Sequence, residues 1–218
     1  MARIQAEATI GLLDSTGSDR GTKDALVDLF AGDGTIYVVS GYFTYQGYLD
    51  IRPAVVSFLD RSPDNELVAI VGPASDQFSS RIARDLWALD DADQVRLLKQ
   101  PRGLHAKLYL RDGPEPTYVL SSANITRVAF EYNVELGLEV SRADGDHPDL
   151  RPFTEWAERL AANSKPLRRR DILGPVQVGS SFVNWSNKAR LLPRRNVALR
   201  VLPVVLFILL FAGLFRLV

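Results

Sequence analysis

Two side chains that can hold or attack an anion lie two residues apart in the middle of the chain. His105 and Lys107 belong to LHAKLYL, residues 104–110, and the 218-residue sequence contains one other histidine. The even positions of this run are apolar, whereas the odd positions are His105, Lys107, Tyr109 and then Arg111. Successive side chains of a strand point to opposite faces, so we expect His105 and Lys107 to project together from a face away from the core. The pair predicts a site for a negatively charged group.

Three more polar side chains follow at positions that a sheet could bring to the same place. Ser122 and Asn124 come directly after a predicted strand, where a chain leaving the sheet presents side chains and amides to a crevice. The alternation in NVELGLEV (133–140) places Glu135 on the face of His105 if the strands share a sheet. Each feature alone is typical of a solvated strand or a turn. The ordered set of imidazole, ammonium, amide and carboxylate favours a functional site.

The surrounding pattern predicts an α/β domain. We predict helices at 21–32, 51–60, 76–90 and 148–163, and strands at 35–40, 67–71, 95–98, 104–110, 117–121 and 133–140. Pro53 suits the first turn of the second helix. Strands and helices alternate in the first half, which favours a mixed, largely parallel sheet.

Charge divides the chain into two unlike parts. The net charge is zero, but residues 1–164 hold 16 Lys and Arg against 25 Asp and Glu, a balance of −9. Residues 165–218 hold 10 basic residues and one acid, a balance of +9. An acidic body joined to a basic tail indicates two parts with different surroundings. The absence of cysteine excludes disulfides, thiol catalysis and Cys-ligated zinc.

The tail ends in an apolar run that favours a membrane anchor. Residues 201–215 carry no charge and are bracketed by Arg200 and Arg216. Fifteen residues are short for a bilayer, which needs about 20, but the flanking arginines can reach the headgroups, so residues 197–218 suffice. A buried C-terminal helix of the domain is the alternative. It is less favoured because the run is apolar all round, whereas a helix packed on the surface of a domain shows one apolar stripe. The arginine-rich residues before the anchor predict that the body faces the cytoplasm.

The ordered polar set resembles the signature of the phospholipase D superfamily. That signature runs His-x-Lys, four residues, Asp, a gap, Gly-Ser-x-Asn, and a later Glu. Here His105 and Lys107 are followed by Asp112, then by Ser121–Asn124, then by Glu135. Ser121 stands where many members have Gly, and the gap before it is longer than the commonest form. The resemblance covers about residues 1–164, and SSANIT is similar to the nuclease, restriction-enzyme and helicase-linked branches.

This resemblance implies a fold, a domain plan and a role for each residue. The fold would be an α/β/α sandwich over residues 1–164, followed by a basic linker (165–196) and a transmembrane helix (197–218). His105 would attack phosphorus and form a phosphohistidine, and Glu135 would accept from its other ring nitrogen. The non-bridging oxygens would bind Lys107, Ser122 and Asn124. The chemistry would need no cofactor and no metal.

The resemblance also implies a homodimer, because the reaction needs a second histidine to protonate the leaving oxygen. His147 does not fit the signature, since Asp149 occupies the place of the lysine. We therefore expect His105 of two copies to meet across a two-fold axis, the commonest oligomeric symmetry.

Three functions remain open on the sequence alone. A membrane-tethered nuclease ranks first on the branch resemblance, although a body at −9 is a poor match for DNA. A phospholipid phosphodiesterase or transferase ranks second, because the anchor and the basic linker would hold it beside anionic lipid. A non-catalytic membrane scaffold ranks third, since a scaffold has no need of the complete set of polar residues. Whether partner proteins gate the activity is left open.

Overall fold

The computed structural model describes residues 8–16, 20–72, 78, 80–90, 92–141 and 150–168. The predicted anchor at 197–218, nearly all of the predicted linker, and His147 and Asp149 lie outside these residues. Within the described part, no helix has the length and apolar character needed to cross a membrane.

Strands and helices alternate at first and strands then crowd together, as the sequence predicts. The elements in chain order are β1 (Thr9–Asp14), α1 (Thr22–Leu29), β2 (Thr35–Ser40), α2 (Tyr45–Arg61), β3 (Glu66–Val71), α3 (Ser80–Ala88), β4 (Val95–Lys99), β5 (Lys107–Asp112), β6 (Thr117–Ser121), α4 (Arg127–Glu131), β7 (Leu136–Ser141), α5 (Arg151–Ala162) and β8 (Lys165–Pro166).

The eight strands form one sheet that is mainly antiparallel. Their order is β1-β7-β6-β5-β2-β3-β4-β8. Among the described strands, only the β2–β3 and β3–β4 pairings are parallel. The prediction of a largely parallel sheet is therefore wrong. Among the described elements, α2 and α3 return the chain across the sheet to start parallel strands. Strands β5, β6 and β7 are antiparallel neighbours, joined by a four-residue turn and by a longer loop that contains α4.

Helices cover both faces of the sheet, so the predicted α/β/α layering is confirmed. On one face α1, α2 and α3 enclose a core in which the rings of Phe30 and Phe58 meet edge to face at 5.7 Å. On the other face α5 packs on the middle strands, where Phe153 lies 6.1 Å from Tyr118. This second layer is thinner, because α5 is the only helix on that face among the described residues.

The polar side of β5 is buried, contrary to the sequence prediction. Tyr109 is fully buried beneath the first helical layer. Arg111 is also buried, and its guanidinium donates to the carbonyl oxygens of Leu29 at 2.7 Å and Glu115 at 2.9 Å. A polar residue can occupy a core face when its donors are satisfied. The alternation in the sequence therefore could not show whether the polar side of β5 faces solvent or a layer of helices.

Several boundaries differ from the predicted ones. Helix α2 begins six residues before the predicted start at 51, because the Thr44 side chain accepts from the Gly47 amide and caps it there. Pro53 consequently lies inside the helix rather than in its first turn. Strand β1 and helix α4 were not predicted. Strand β8 lies in the predicted linker and pairs with β4.

Two chain segments approach closely at the carboxyl end of β2. A Cβ atom added at Gly41 would lie 2.5 Å from the Leu104 carbonyl oxygen, on the segment that leads into His105. At Gly103, an added Cβ would meet nothing within 4 Å. The absence of a side chain at Gly41 therefore permits the contact, whereas Gly103 has space for one.

We predict that Gly41→Ala lowers the free energy of unfolding by about 1–3 kcal/mol, because Leu104 must move to admit the methyl group. Gly103→Ala is the matched control and should change it by less than about 0.5 kcal/mol. Urea unfolding followed by circular dichroism measures both. Equal effects of the two substitutions would contradict the close contact.

Candidate active site

The predicted site residues lie at one end of the sheet because neighbouring strands run in opposite directions. Strand β5 is antiparallel to β2, so its first residue, Lys107, pairs with Ser40, the last residue of β2. Ser121 ends β6 and pairs with Gly137 at the beginning of β7. The loops before β5 and β7 therefore meet the loops after β2 and β6. These four loops carry His105, Asn124 and their neighbours.

His105 and Lys107 are in direct contact. The Lys107 ammonium donates to the His105 carbonyl oxygen at 2.7 Å, and its Nζ lies 3.5 Å from Nδ1 of the imidazole. His105 is exposed and precedes the first residue of β5, so it lies in a loop rather than in the predicted strand. The other ring nitrogen, Nε2, is the one that does not face the ammonium. An exposed imidazole beside a cation is suitably placed to meet an anionic substrate.

Glu135 influences the same ammonium. Burial lowers the pKa of Lys107, and the negative charge of Glu135 opposes that shift. Glu135 is thus near enough to Lys107 for their charges to interact.

Hydrogen bonds from two neighbouring side chains hold the Glu135 carboxylate. Its Oε2 accepts a short hydrogen bond from the Ser122 hydroxyl, and its Oε1 accepts from the Asn133 amide at 3.0 Å. Within the described residues, no hydrogen bond joins Glu135 to His105. The role predicted for Glu135, orienting His105, thus requires a rearrangement of these side chains.

The Glu135 backbone is fixed by the end of β1. The Ser15 hydroxyl accepts from the Glu135 amide at 2.7 Å and donates to the Asn133 carbonyl oxygen at 2.9 Å. The Ser15 amide donates to the Glu135 carbonyl oxygen at 3.2 Å. The sequence analysis gave Ser15 no role in the site. No local signal could identify its contact with a segment about 120 residues away.

Asn124 presents its amide nitrogen as a donor. Its Oδ1 accepts from the Tyr42 backbone amide at 3.1 Å, which fixes the orientation of the amide group. No hydrogen bond donated by Nδ2 is found among the described residues. An oriented amide with both N–H groups available is the donor that a phosphate oxygen requires.

The serine that replaces glycine in the signature has a local structural role. Ser121 Oγ accepts from the Ala123 amide at 3.0 Å and hydrogen-bonds the Thr22 hydroxyl at 2.8 Å. These contacts direct the Ser121 hydroxyl toward the beginning of α1. They also stabilise the turn that carries Ser122 and Asn124.

Tyr109 stabilises this turn from the core of the domain. The sequence analysis did not assign it a role in the site. Its hydroxyl donates to the Ala123 carbonyl oxygen at 2.7 Å. Complete burial raises the pKa of Tyr109, so the hydroxyl remains a neutral donor. Tyr109 thereby joins β5, which begins at Lys107, to the loop that contains Asn124.

The aspartate of the signature lies away from these residues. Asp112 ends β5 and pairs with Thr35 at the start of β2, whereas Lys107 begins β5. The two residues are five positions apart along the strand, which corresponds to about 16 Å. Asp112 is therefore not part of the same cluster.

A cleft of about 800 Å³ opens beside His105. Its lining includes Arg102 from the loop before β5, together with Trp156, Arg159 and Asn163 from α5 and its end. Sequence reasoning did not identify these four residues. Two guanidinium groups give the cleft a local positive charge, although Arg159 also forms an ion pair with Glu155 at 3.6 Å. Among the described residues, no group of three His, Asp or Glu side chains is arranged to hold a metal.

Comparison with known proteins gives matches in structure. No protein-family model matches the chain, and no curated protein sequence matches it significantly. The phospholipase D family member Nuc from Salmonella typhimurium superposes with a TM-score of 0.57 at 16% identity, covering 74% of this chain and 99% of Nuc. NucT from Helicobacter pylori gives a TM-score of 0.57 at 16% identity, covering 74% of this chain and 100% of NucT.

A larger protein shares the same architecture. Phosphatidylserine synthase from Haemophilus influenzae superposes with a TM-score of 0.63 at 14% identity, covering 87% of this chain and 48% of the synthase. The chain thus spans about half of the synthase and nearly the whole of Nuc and NucT. The architecture predicted from the ordered polar residues is confirmed: the chain has the fold of the phospholipase D superfamily.

Proposed function

We propose that the chain is a phosphodiesterase that acts through His105. The observation that carries this proposal is the convergence of His105, Lys107, Asn124 and Glu135 at one end of a phospholipase D-like sheet. The side chains supply a nucleophile, a cation, an oriented amide and a carboxylate. A phosphodiester is anionic and weakly electrophilic, so its cleavage needs such a combination.

The proposed reaction proceeds in two displacements. His105 attacks phosphorus and the first alcohol leaves, giving a phosphohistidine. Water or a second alcohol then attacks the phosphohistidine and releases His105. The ammonium of Lys107 and the Nδ2 group of Asn124 stabilise the charge on the non-bridging oxygens, with the Ser122 hydroxyl beside them. Glu135 turns from Ser122 to the imidazole and stabilises its positive charge.

Nucleic acid is the first proposed substrate class and phospholipid is the second. The resemblance of SSANIT to nuclease branches supports the first, as does the match to the full length of Nuc and NucT. An exposed apolar surface beside Lys107 favours the second. In either case the reaction would need no metal.

We predict that the full-length chain cleaves a phosphodiester in the presence of EDTA and that His105→Ala reduces turnover at least a thousandfold. Single-stranded DNA, duplex DNA, RNA and cardiolipin-containing vesicles are tested in parallel. The matched control is Asp112→Asn, at the opposite end of β5, which should retain at least half of the activity. Turnover retained in His105→Ala would disprove the nucleophile. No turnover of any substrate would favour a membrane scaffold.

We also propose that two copies share the site across a two-fold axis. The leaving alcohol needs a proton, and the sequence has no second His-x-Lys to donate it. His105 of a second copy would be that acid, while the first acts as nucleophile.

A shared site predicts that specific activity depends on protein concentration. It should fall on dilution, in step with the loss of dimer measured by sedimentation. A species that sediments as a monomer and keeps its full specific activity would exclude the shared site.

Residues 197–218 are proposed to anchor the enzyme in a membrane, with the catalytic domain in the cytoplasm. The uncharged run at 201–215 and the preceding arginines support this. Membrane fractionation should find the full-length chain in the pellet after a carbonate wash, whereas a chain truncated after residue 196 should be released. Release of the full-length chain by carbonate would contradict the anchor.

A further inference from the structure

A buried amide side chain lines the cleft beside His105. Gln100 directly follows β4, at the end of the sheet where the parallel strands β2 and β3 also end, and it is 8% exposed. Its Oε1 accepts from the Arg102 backbone amide at 3.4 Å, which distinguishes Oε1 from Nε2. No hydrogen bond donated by this Nε2 is found in the parts of the chain that the structure describes. A buried donor without an acceptor is rare in folded proteins, so Gln100 indicates a ligand in the cleft.

Two guanidinium groups approach the same cleft from different elements. Arg102 lies in the loop after β4, and Arg159 lies on α5. No ion pair of Arg102 is found among the described residues. Arg159 pairs with Glu155 at 3.6 Å, but both side chains are more than half exposed. Exposed pairs of this kind contribute little to stability, so an anionic ligand can replace Glu155 as the partner of Arg159.

The lining of the cleft contains no aspartate or glutamate. The carbonyl oxygens at the end of α5 could also repel an anion, because the carboxyl end of a helix is partly negative. Two of them already accept hydrogen bonds: the Asn163 side chain donates to the Arg159 carbonyl oxygen at 2.7 Å, and the Ser164 hydroxyl donates to that of Leu160 at 2.7 Å. The cleft therefore presents positive charge and hydrogen-bond donors.

These groups are distinct from those proposed to hold the phosphodiester that is cleaved. Lys107 and Asn124 do not line this cleft, whereas His105 does. A phosphodiester held by Lys107 and Asn124 would therefore have His105 between it and the guanidinium groups. The cleft remains open to another part of the same substrate.

We propose that the cleft is a subsite for a second phosphate group of the substrate, a terminal phosphate next to the phosphodiester at His105. This inference rests on the proposed phosphodiesterase function and adds a group that the substrate carries. A terminal phosphate is a monoester with a charge of about −1.5 to −2 at neutral pH, which the two guanidinium groups match. Arg102 and Arg159 bind its oxygens, and the Gln100 amide donates to one of them.

Bisphosphates of short diols test the subsite without requiring turnover. The bisphosphates of ethanediol, propanediol and butanediol are titrated into the full-length chain by calorimetry, each beside the monophosphate of the same diol. A blank titration in the same detergent is subtracted. The bisphosphate whose linker fits should bind at least tenfold more tightly than its monophosphate. No gain at any linker length would overturn the proposal.

Substitutions in the cleft locate the second phosphate. Arg102→Gln should reduce the gain to twofold or less. Gln100→Glu should do the same, because it keeps the acceptor for the Arg102 amide and replaces the donors by a negative charge. Arg151→Gln is the matched control, since it removes a positive charge from the helix of Arg159 but lies outside the cleft lining. An equal loss in Arg151→Gln would show an effect of overall charge and overturn the subsite.

Turnover of matched substrates identifies the source of the second phosphate. One set is a thymidine dinucleotide with a phosphate at its 5′ end, at its 3′ end or at neither. The other set is phosphatidylglycerophosphate and phosphatidylglycerol. In the set that is cleaved, a phosphorylated member should have a kcat/KM at least tenfold higher than the unphosphorylated one, and Arg102→Gln should reduce this ratio to twofold or less.

The two proposals fail in different ways. Cleavage of either set without a preference for a terminal phosphate would overturn the subsite and leave the proposed function standing. If the bisphosphate gain is present and depends on Arg102 but no phosphodiester is cleaved, the subsite stands and the proposed function fails.

Discussion

The antiparallel pairing of β5 with β2 is the constraint on which the candidate site depends. It brings the amino end of β5 to the carboxyl ends of β2 and β6. His105 comes from the loop before β5, and Asn124 comes from the loop after β6. If β5 ran parallel to β2, Lys107 would lie about 16 Å away, at the place that Asp112 occupies. Strand direction therefore determines which residues of the signature meet.

Buried polar groups hold the loops at this end of the sheet. Tyr109 lies in the core beneath Lys107 and donates to the Ala123 carbonyl oxygen. Ser15 and Thr22 fix the loops before β7 and after β6 from the outer strand and first helix. An unsatisfied buried hydroxyl costs about 1–3 kcal/mol, so a loop that moved away from Tyr109 would be disfavoured. The scaffold thus keeps the donors at the site in a fixed geometry.

The sequence predicted local structure better than long-range pairing. Strands β2 and β6 begin and end at the predicted residues, 35–40 and 117–121, because short apolar β-rich runs are bounded there by turn residues. The direction of β5 was not predictable in the same way, since it depends on a pairing with β2 about 70 residues earlier. His105 and Lys107 are in contact although His105 precedes β5, so strand alternation is not what brings them together. The same alternation could not show that Tyr109 is buried.

The local charge around the site bears on the choice of substrate more than the net charge of the body. Charges separated by more than about 8–10 Å are largely screened at physiological salt. Near His105, the cationic groups are Lys107, Arg102 and Arg159. A phosphodiester group that enters the cleft beside His105 meets these cationic side chains directly. The net charge of −9 on residues 1–164 therefore does not determine how strongly the site attracts a phosphodiester group.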